Sequence, residues 1–271
     1  MTERPTHRPR KRFGQHFLTD TATVSRIVRQ VHPAEGLALV EIGPGLGALT
    51  LPLLRACKTL HALELDRDLV PRLARAAADI GDLTVHQGDA LAFDFTALSQ
   101  TLQAPLRLVG NLPYNISTPL LFHVCAHKAV VESMHFMLQQ EVVDRLAATP
   151  GNKAYGRLTV MVQYHCQVVP RFGVPPSAFD PPPRVDSAVV SLVPHATPPF
   201  EVGSLDGFRA LVSAAFNARR KTLRNALSGW LDAEHIAAAG VDPQSRAERI
   251  TPDQYAALSR QLEALQRAQR G

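Results

Sequence analysis

The segment Asn111-Leu112-Pro113-Tyr114, which closes the apolar stretch 107–110, carries the most specific chemistry in the chain. The exocyclic amine of adenine is a poor nucleophile because its lone pair is delocalised into the ring. Two acceptors placed on its two N–H hydrogens favour a pyramidal nitrogen with a localised lone pair. The side-chain oxygen of Asn111 can be one acceptor, and a main-chain carbonyl at Leu112 or Pro113 the other. Proline at 113 removes a competing donor and stiffens the turn. Tyr114 supplies a face on which a base can stack.

Upstream, Glu41-Ile42-Gly43-Pro44-Gly45-Leu46-Gly47 joins a β-rich run to a helical one. Its glycines let the backbone approach a ligand without a Cβ clash, and the helix that follows begins with free N–H donors. Such turns serve nicotinamide, flavin and S-adenosylmethionine folds alike. The acids around it discriminate among them. Glu64, 17 residues after Gly47, ends the next strand and can accept from ribose hydroxyls. Asp89 ends the strand after that and can accept from an adenine amino group. An acid at each of three successive strand ends suits a nucleoside carrying positive charge and disfavours a pyrophosphate. S-adenosylmethionine, a sulfonium cation, is the cofactor that fits.

Parallel strands must hold these residues. Short apolar runs at 37–42, 59–65, 83–86, 106–109 and 133–138 alternate with helical stretches at 48–57, 67–78 and 119–127. That alternation predicts βαβ units and a parallel sheet covered on both faces. Asp20 is placed to cap a helix over 21–31, with Val24, Ile27, Val28 and Val31 on one face. Nine of the 21 prolines fall within 170–199, so that stretch holds neither a helix nor a run of central strands. One strand fits inside it, at 187–193. Past a linker at 194–203, the segments 205–218, 223–231 and 253–268 show helical periodicity.

Composition narrows the setting. The 271 residues are 45% apolar and 20% charged, which excludes a disordered or collagen-like chain. The longest apolar runs are far short of a membrane span, and no apolar stretch follows the basic N-terminus as a secretory signal would. Cys57, Cys125 and Cys166 are widely separated and support neither a disulfide framework nor a zinc site, so a reducing cytoplasm is expected. The net charge of +5 is segregated: residues 1–12 hold five Lys/Arg against one Glu, and 205–271 hold ten against seven acids. Positive ends around a slightly acidic centre point to a polyanion partner.

Several long motifs then share one resemblance. Lys11-Arg12-Phe13-Gly14-Gln15-His16-Phe17-Leu18, the Asn111–Tyr114 turn, the proline-rich 175–189 and Ala215-Phe216-Asn217-Ala218-Arg219-Arg220-Lys221-Thr222-Leu223-Arg224-Asn225 resemble the ribosomal small-subunit RNA adenine dimethyltransferases, the KsgA/RsmA family. The resemblance covers nearly the whole chain. It implies a Rossmann-like S-adenosylmethionine-dependent methyltransferase domain with a basic N-terminal extension over 1–198, and a small all-helical RNA- or ribosome-binding domain over 199–271. The implied activity is dimethylation of the N6 amines of two adjacent adenines in the 3′-terminal hairpin of 16S rRNA, within an immature 30S particle.

By position the resemblance assigns cofactor contacts to His16, Leu18, Gly43, Glu64, Asp89 and Asn111, with Gly45 in the same glycine turn. His16 stands where many members have Asn. Phe179 becomes a second aromatic wall opposite Tyr114, with the flipped adenine between them. Extrusion costs a few kcal/mol, and stacking on aromatic rings returns about 1–3 kcal/mol per base. No general base is evident; positioning and lone-pair localisation by Asn111, Leu112, Pro113, Tyr114 and Phe179 are the expected means of catalysis. Arg10, Lys11 and Arg12, with Arg219, Arg220, Lys221 and Arg224, are expected to clamp RNA phosphates in a salt-sensitive way. At helical spacing Arg220 and Arg224 share a face. The resulting expectation is a cytoplasmic monomer with neither metal nor membrane. Competing readings are a large-subunit rRNA adenine dimethyltransferase of the macrolide-resistance type and a non-catalytic small-subunit assembly factor.

Overall fold

The computed structural model describes residues 16–218 and 220–268. Arg10, Lys11, Arg12 and Arg219 therefore lie outside the described residues. The chain divides into two compact units, one running up to Val143 and resuming over Val169–Pro194, the other formed by Asp144–Val168 and the residues from His195 onward.

The first unit opens with a two-residue strand, β1 (Phe17–Leu18), and a helix, α1 (Thr21–Val31). The Asp20 carboxylate accepts from the Thr23 N–H at 2.8 Å and caps α1, whose Val24, Ile27 and Val31 are buried. Alternation follows: β2 (Ala38–Ile42), α2 (Thr50–Cys57), β3 (Thr59–Glu64), α3 (Val70–Ala77), β4 (Asp82–Gln87), α4 (Phe95–Leu102), β5 (Leu106–Asn111), α5 (Ser117–Ala126) and β6 (Val131–Gln139). The chain continues through α6 (Gln140–Leu146), α7 (Arg157–His165), β7 (Cys166–Val174), β8 (Phe179–Asp180) and β9 (Ser187–Pro194). Of these, β1, α4, α6, α7, β7 and β8 are not anticipated by the periodicity, and β8 with the end of β7 adds to the single strand expected within 170–199. Only α4 advertises itself locally, through Asp94, which accepts from the Ala97 N–H at 3.0 Å.

Seven strands form one sheet in the order β4-β3-β2-β5-β6-β9-β7. The neighbours from β4 to β6 run parallel, and β9 pairs antiparallel with β6. Strand order reverses between β2 and β5, and at such a point the loops leaving the carboxyl ends diverge and open a crevice. Gly110 makes this junction possible, because a Cβ there would collide with the Ile42 carbonyl oxygen. β7 carries Pro170 at the sheet edge, where a missing N–H breaks no central ladder. A separate pair joins β1 to β8, with Phe17 opposite Asp180 and Leu18 opposite Phe179.

The second unit is helical: α7 and the α6–α7 connection join α8 (Leu205–Asn217), α9 (Leu223–Ala226), α10 (Ala233–Ala238) and α11 (Pro252–Ala268). Val160, Met161 and Val162 of α7 are buried, and α7 packs on α8 and α11. This packing draws 144–168 into the helical unit, although the sequence boundary after 198 leaves that stretch with the first. Tyr155 and Tyr255 sit at the centre and donate to the Ile250 and Ala247 carbonyls, each at 2.8 Å. Phe216 contacts both rings, with centroids 6.1 and 5.7 Å away.

Helix α9 is shorter than the expected 223–231. It starts at Leu223 as expected, after an extended Thr222 (φ −68°, ψ 161°) that bridges to Arg246, but ends at Ala226. A turn replaces its second half. Arg220 and Lys221 precede the helix and Arg224 lies on it, which corrects the expectation that Arg220 and Arg224 share a helical face. All three are exposed. Among the described residues no helix is long and apolar enough to cross a membrane.

Candidate active site

His16, Leu18, Gly43, Gly45, Glu64, Asp89, Asn111, Leu112, Pro113 and Tyr114 all line one cleft, at the carboxyl ends of β2 to β5. Its floor is the glycine turn after β2. Gly43 and Gly45 adopt φ of +70° and +56°, which side-chain-bearing residues avoid. A Cβ on Gly45 would also lie 3.1 Å from the Phe17 ring. The Gly43 N–H donates to the Leu63 carbonyl at 2.9 Å and ties the turn to β3.

Glu41, Glu64 and Asp89 line the cleft, and among the described residues no Lys or Arg does. Glu64 accepts from the Gly45 N–H at 3.1 Å through Oε2 and from the Asp66 N–H at 2.8 Å through Oε1. Burial pushes its pKa up, and those backbone bonds oppose the shift. Each oxygen keeps a lone pair for a ligand hydroxyl. Asp89 is exposed, and one oxygen accepts from the Leu91 N–H at 2.9 Å. Glu41 enters the sequence reading only as the first of the three strand-end acids, with no contact of its own. It is buried in the cleft floor and accepts from the Thr50 hydroxyl at 2.6 Å. Burial pushes its carboxyl up to about 8, against the Thr50 bond, and the Glu64 charge adds to the rise. The available signal was its place at the end of β2, beside the glycines.

At the other end of the cleft, Asn111 Nδ2 donates to the His16 carbonyl at 3.0 Å. A carbonyl only accepts, so this bond fixes the amide orientation and leaves Oδ1 as an acceptor. The two main-chain candidates are not equivalent. The Pro113 carbonyl already accepts from the Ile116 N–H at 3.1 Å and the Ser117 hydroxyl at 3.0 Å, where α5 begins. Among the described residues no such bond occupies the Leu112 carbonyl, and its N–H is anchored to the Met137 carbonyl at 3.1 Å. Of the two, the Leu112 carbonyl is the one left open, while the Pro113 carbonyl is taken up by the start of α5. The Tyr114 hydroxyl shares a 2.7 Å hydrogen bond with Ser187, which fixes its ring. Burial raises the Tyr114 pKa, so the group stays a phenol.

Phe179 is placed differently from the sequence expectation. Its ring is 4% exposed and packs in an apolar cluster with Leu18, Val24, Val174 and Ala178. It does not line the cleft. Pairing of β8 with β1 turns Phe179 inward and Asp180 outward, as strand alternation requires. The ring that faces Tyr114 belongs to His16, at a centroid distance of 5.6 Å. Arg220, Lys221 and Arg224 belong to the helical unit.

Comparison with known proteins bears on this arrangement. The family model described as Ribosomal RNA adenine dimethylase matches residues 6–264. A protein named ribosomal RNA small subunit methyltransferase A from Laribacter hongkongensis is 55% identical over 253 residues, covering 93% of this chain and 95% of its own. One of the same name from Cronobacter sakazakii is 52% identical over 256 residues, 94% of each chain. Among solved structures, a dimethyladenosine transferase from Plasmodium falciparum shares the fold with a TM-score of 0.77 at 23% identity, over 92% of this chain and 98% of that one. The 23S rRNA methyltransferase ErmE gives a TM-score of 0.71 at 25% identity, over 91% and 99%.

Proposed function

The chain belongs to the ribosomal RNA adenine dimethylase family, and from that membership we propose that it transfers methyl groups from S-adenosylmethionine to the N6 amines of two adjacent adenines in the 3′-terminal hairpin of 16S rRNA. The observation that carries this reading is the Asn111 amide, pinned by the His16 carbonyl so that Oδ1 and the Leu112 carbonyl present two acceptors beside the Tyr114 ring.

The cleft fits the cofactor. Glu41, Glu64 and Asp89 line it without a counter-cation among the described residues, and left-handed glycines keep side chains off its floor. When bound, S-adenosylmethionine supplies an electrophilic methyl group on a sulfonium with a good thioether leaving group. Glu64 is placed to hold ribose hydroxyls and Asp89 an adenine amino group, while Glu41, whose carboxyl burial keeps protonated near neutral pH, gains its negative charge as the sulfonium binds. Asn111 and Leu112 accept from the target amine and localise its lone pair, while Tyr114 stacks on the base. These groups act by orientation, which converts an encounter into a near-attack geometry. The proton displaced from nitrogen after transfer goes to water, and no side chain needs to act as a base.

Relatives at 55% and 52% identity carry a small-subunit name, whereas the large-subunit enzyme is 25% identical, which favours the small subunit. The chain acts in the cytoplasm as a monomer on an immature 30S particle. The helical domain, with Arg219, Arg220, Lys221 and Arg224, grips RNA phosphates together with Arg10, Lys11 and Arg12. Transfer of label from radioactive S-adenosylmethionine to undermethylated small and large subunits tests this. Label in the small subunit alone is expected; label in the large subunit would support the resistance-type reading, and none in either an assembly factor.

A further inference from the structure

The His16 imidazole lies nearly parallel to the Tyr114 ring, with centroids 5.6 Å apart and planes 26° off parallel. Its Nδ1 is 2.8 Å from the Pro181 carbonyl oxygen, which can only accept, so Nδ1 carries the proton and donates. The residues that follow are zipped to the proline-rich loop: Leu18 stands opposite Phe179, and the Thr19 N–H donates to the Ala178 carbonyl at 2.8 Å. Tyr114 is held as firmly from its other end by Ser187. Both rings are thus held by bonds to one stretch, 181–187, and their contact joins residues far apart in the chain.

At this separation the imidazole is offset from the Tyr114 ring and occupies part of the layer in which an incoming base would stack. A ring sandwiched between two others needs van der Waals contact on both sides, roughly 7–8 Å between the outer rings at the usual carbon–carbon spacing. The observed 5.6 Å admits no such third ring. Phe179 offers no substitute face, because it is buried in the core.

We propose that His16 is a placeholder beside Tyr114: its imidazole occupies part of the stacking layer next to that ring in the free protein and swings aside when the target adenine stacks there. The inference rests on the adenine chemistry proposed above. Two bonds of His16 divide the labour. The side-chain bond to Pro181 breaks when the ring leaves, whereas the main-chain carbonyl keeps its bond from Asn111. The amide acceptor therefore stays aimed while the ring moves. A base that stacks on Tyr114 more strongly than an imidazole displaces it, and a weaker ligand does not. The placeholder is a filter on what enters, set at the strength of one aromatic pair.

Steady-state methylation of undermethylated small subunits, at saturating S-adenosylmethionine so that cofactor affinity does not enter, tests the idea with His16→Ala and His16→Phe. Removing the competing ring in His16→Ala should lower KM for subunits about two- to tenfold, the value of one aromatic stack. His16→Phe keeps a ring over Tyr114 and should hold KM at or above that of the wild type. An unchanged or raised KM in His16→Ala overturns the proposal, as does an equal fall in both variants. The free protein gives an independent readout. In histidine-labelled protein, the His16 ring resonance should be displaced by the Tyr114 ring current and return on Tyr114→Ala; a resonance that does not move removes the stack. Wild-type protein that methylates no small subunits would instead defeat the functional reading, and the placeholder with it.

Discussion

Glu41→Gln separates charge from shape in the cleft floor. Glutamine keeps the length of the side chain and can still accept from the Thr50 hydroxyl, which lies 2.6 Å from the carboxylate. In the folded protein the Glu41 carboxyl rises from an ordinary 4.5 to about 8. Between those values the folded chain holds a proton that the unfolded chain has released. Wild-type stability is therefore fully present below the lower value, falls as pH rises through the window, and levels off above about 8. Each unit of difference corresponds to about 1.4 kcal/mol, so the loss between about pH 5 and pH 8 is roughly 3–5 kcal/mol. The variant has no such proton. Urea unfolding of both proteins, at four pH values across this range, should show the stability of Glu41→Gln gaining on the wild type by about 1 kcal/mol or more per unit. A difference between the two proteins that stays constant with pH would refute the buried, proton-holding carboxyl. Binding gives the same sign. A sulfonium in the cleft favours the ionised form, so S-adenosylmethionine should release a proton on binding near pH 7, and Glu41→Gln should abolish the release. Calorimetry in buffers of different ionisation enthalpy reads this directly.

Other perturbations address the rest of the site. Asn111→Ala should still bind small subunits but lose methyl transfer by about a hundredfold or more, the usual cost of one preorganised polar contact; an undiminished kcat would discard lone-pair localisation. Replacing Arg219, Arg220, Lys221 and Arg224 together by alanine should flatten the salt dependence of RNA binding by about 0.7–0.9 in log–log slope per lost phosphate contact. An unaltered slope would make the cluster plain surface. Phe179→Ala should lower unfolding stability by about 3–5 kcal/mol, because the ring is packed in the core. A normal stability with a raised KM for subunits would return the ring to the cleft.

Much of the site is legible in the chain because its parts are local. The glycine turn, the acids at strand ends and the Asn111–Tyr114 turn each lie within one βα unit, and the parallel sheet brings consecutive strand ends together. Asp20 and the apolar stripe of α1 were equally readable, since a cap and a helical face are set by neighbours in sequence. What escaped depends on contacts across long separations. Pairing of β1 with β8 joins segments about 160 residues apart and decides that Phe179 points inward. The same pairing sets His16 beside Tyr114, which no spacing rule encodes. The recruitment of 144–168 into the helical unit likewise follows from burial of α7 against α8 and α11. Pro113 and Leu112 could be ranked only when the start of α5 was seen to consume the Pro113 carbonyl. The bridge from Thr222 to Arg246, just before α9, likewise joins distant partners.

The central claim is that Asn111, Leu112 and Tyr114 prepare an adenine N6 amine for methylation. Mass-spectrometric nucleoside analysis of small-subunit rRNA after reaction with the wild-type protein and S-adenosylmethionine tests it most directly. The account predicts N6,N6-dimethyladenosine at two adjacent adenines of the 3′-terminal hairpin, formed at a rate lower by about a hundredfold or more with Asn111→Ala. Methyl groups on a ribose, on a cytosine or guanine, or on a ring nitrogen of adenine would contradict it.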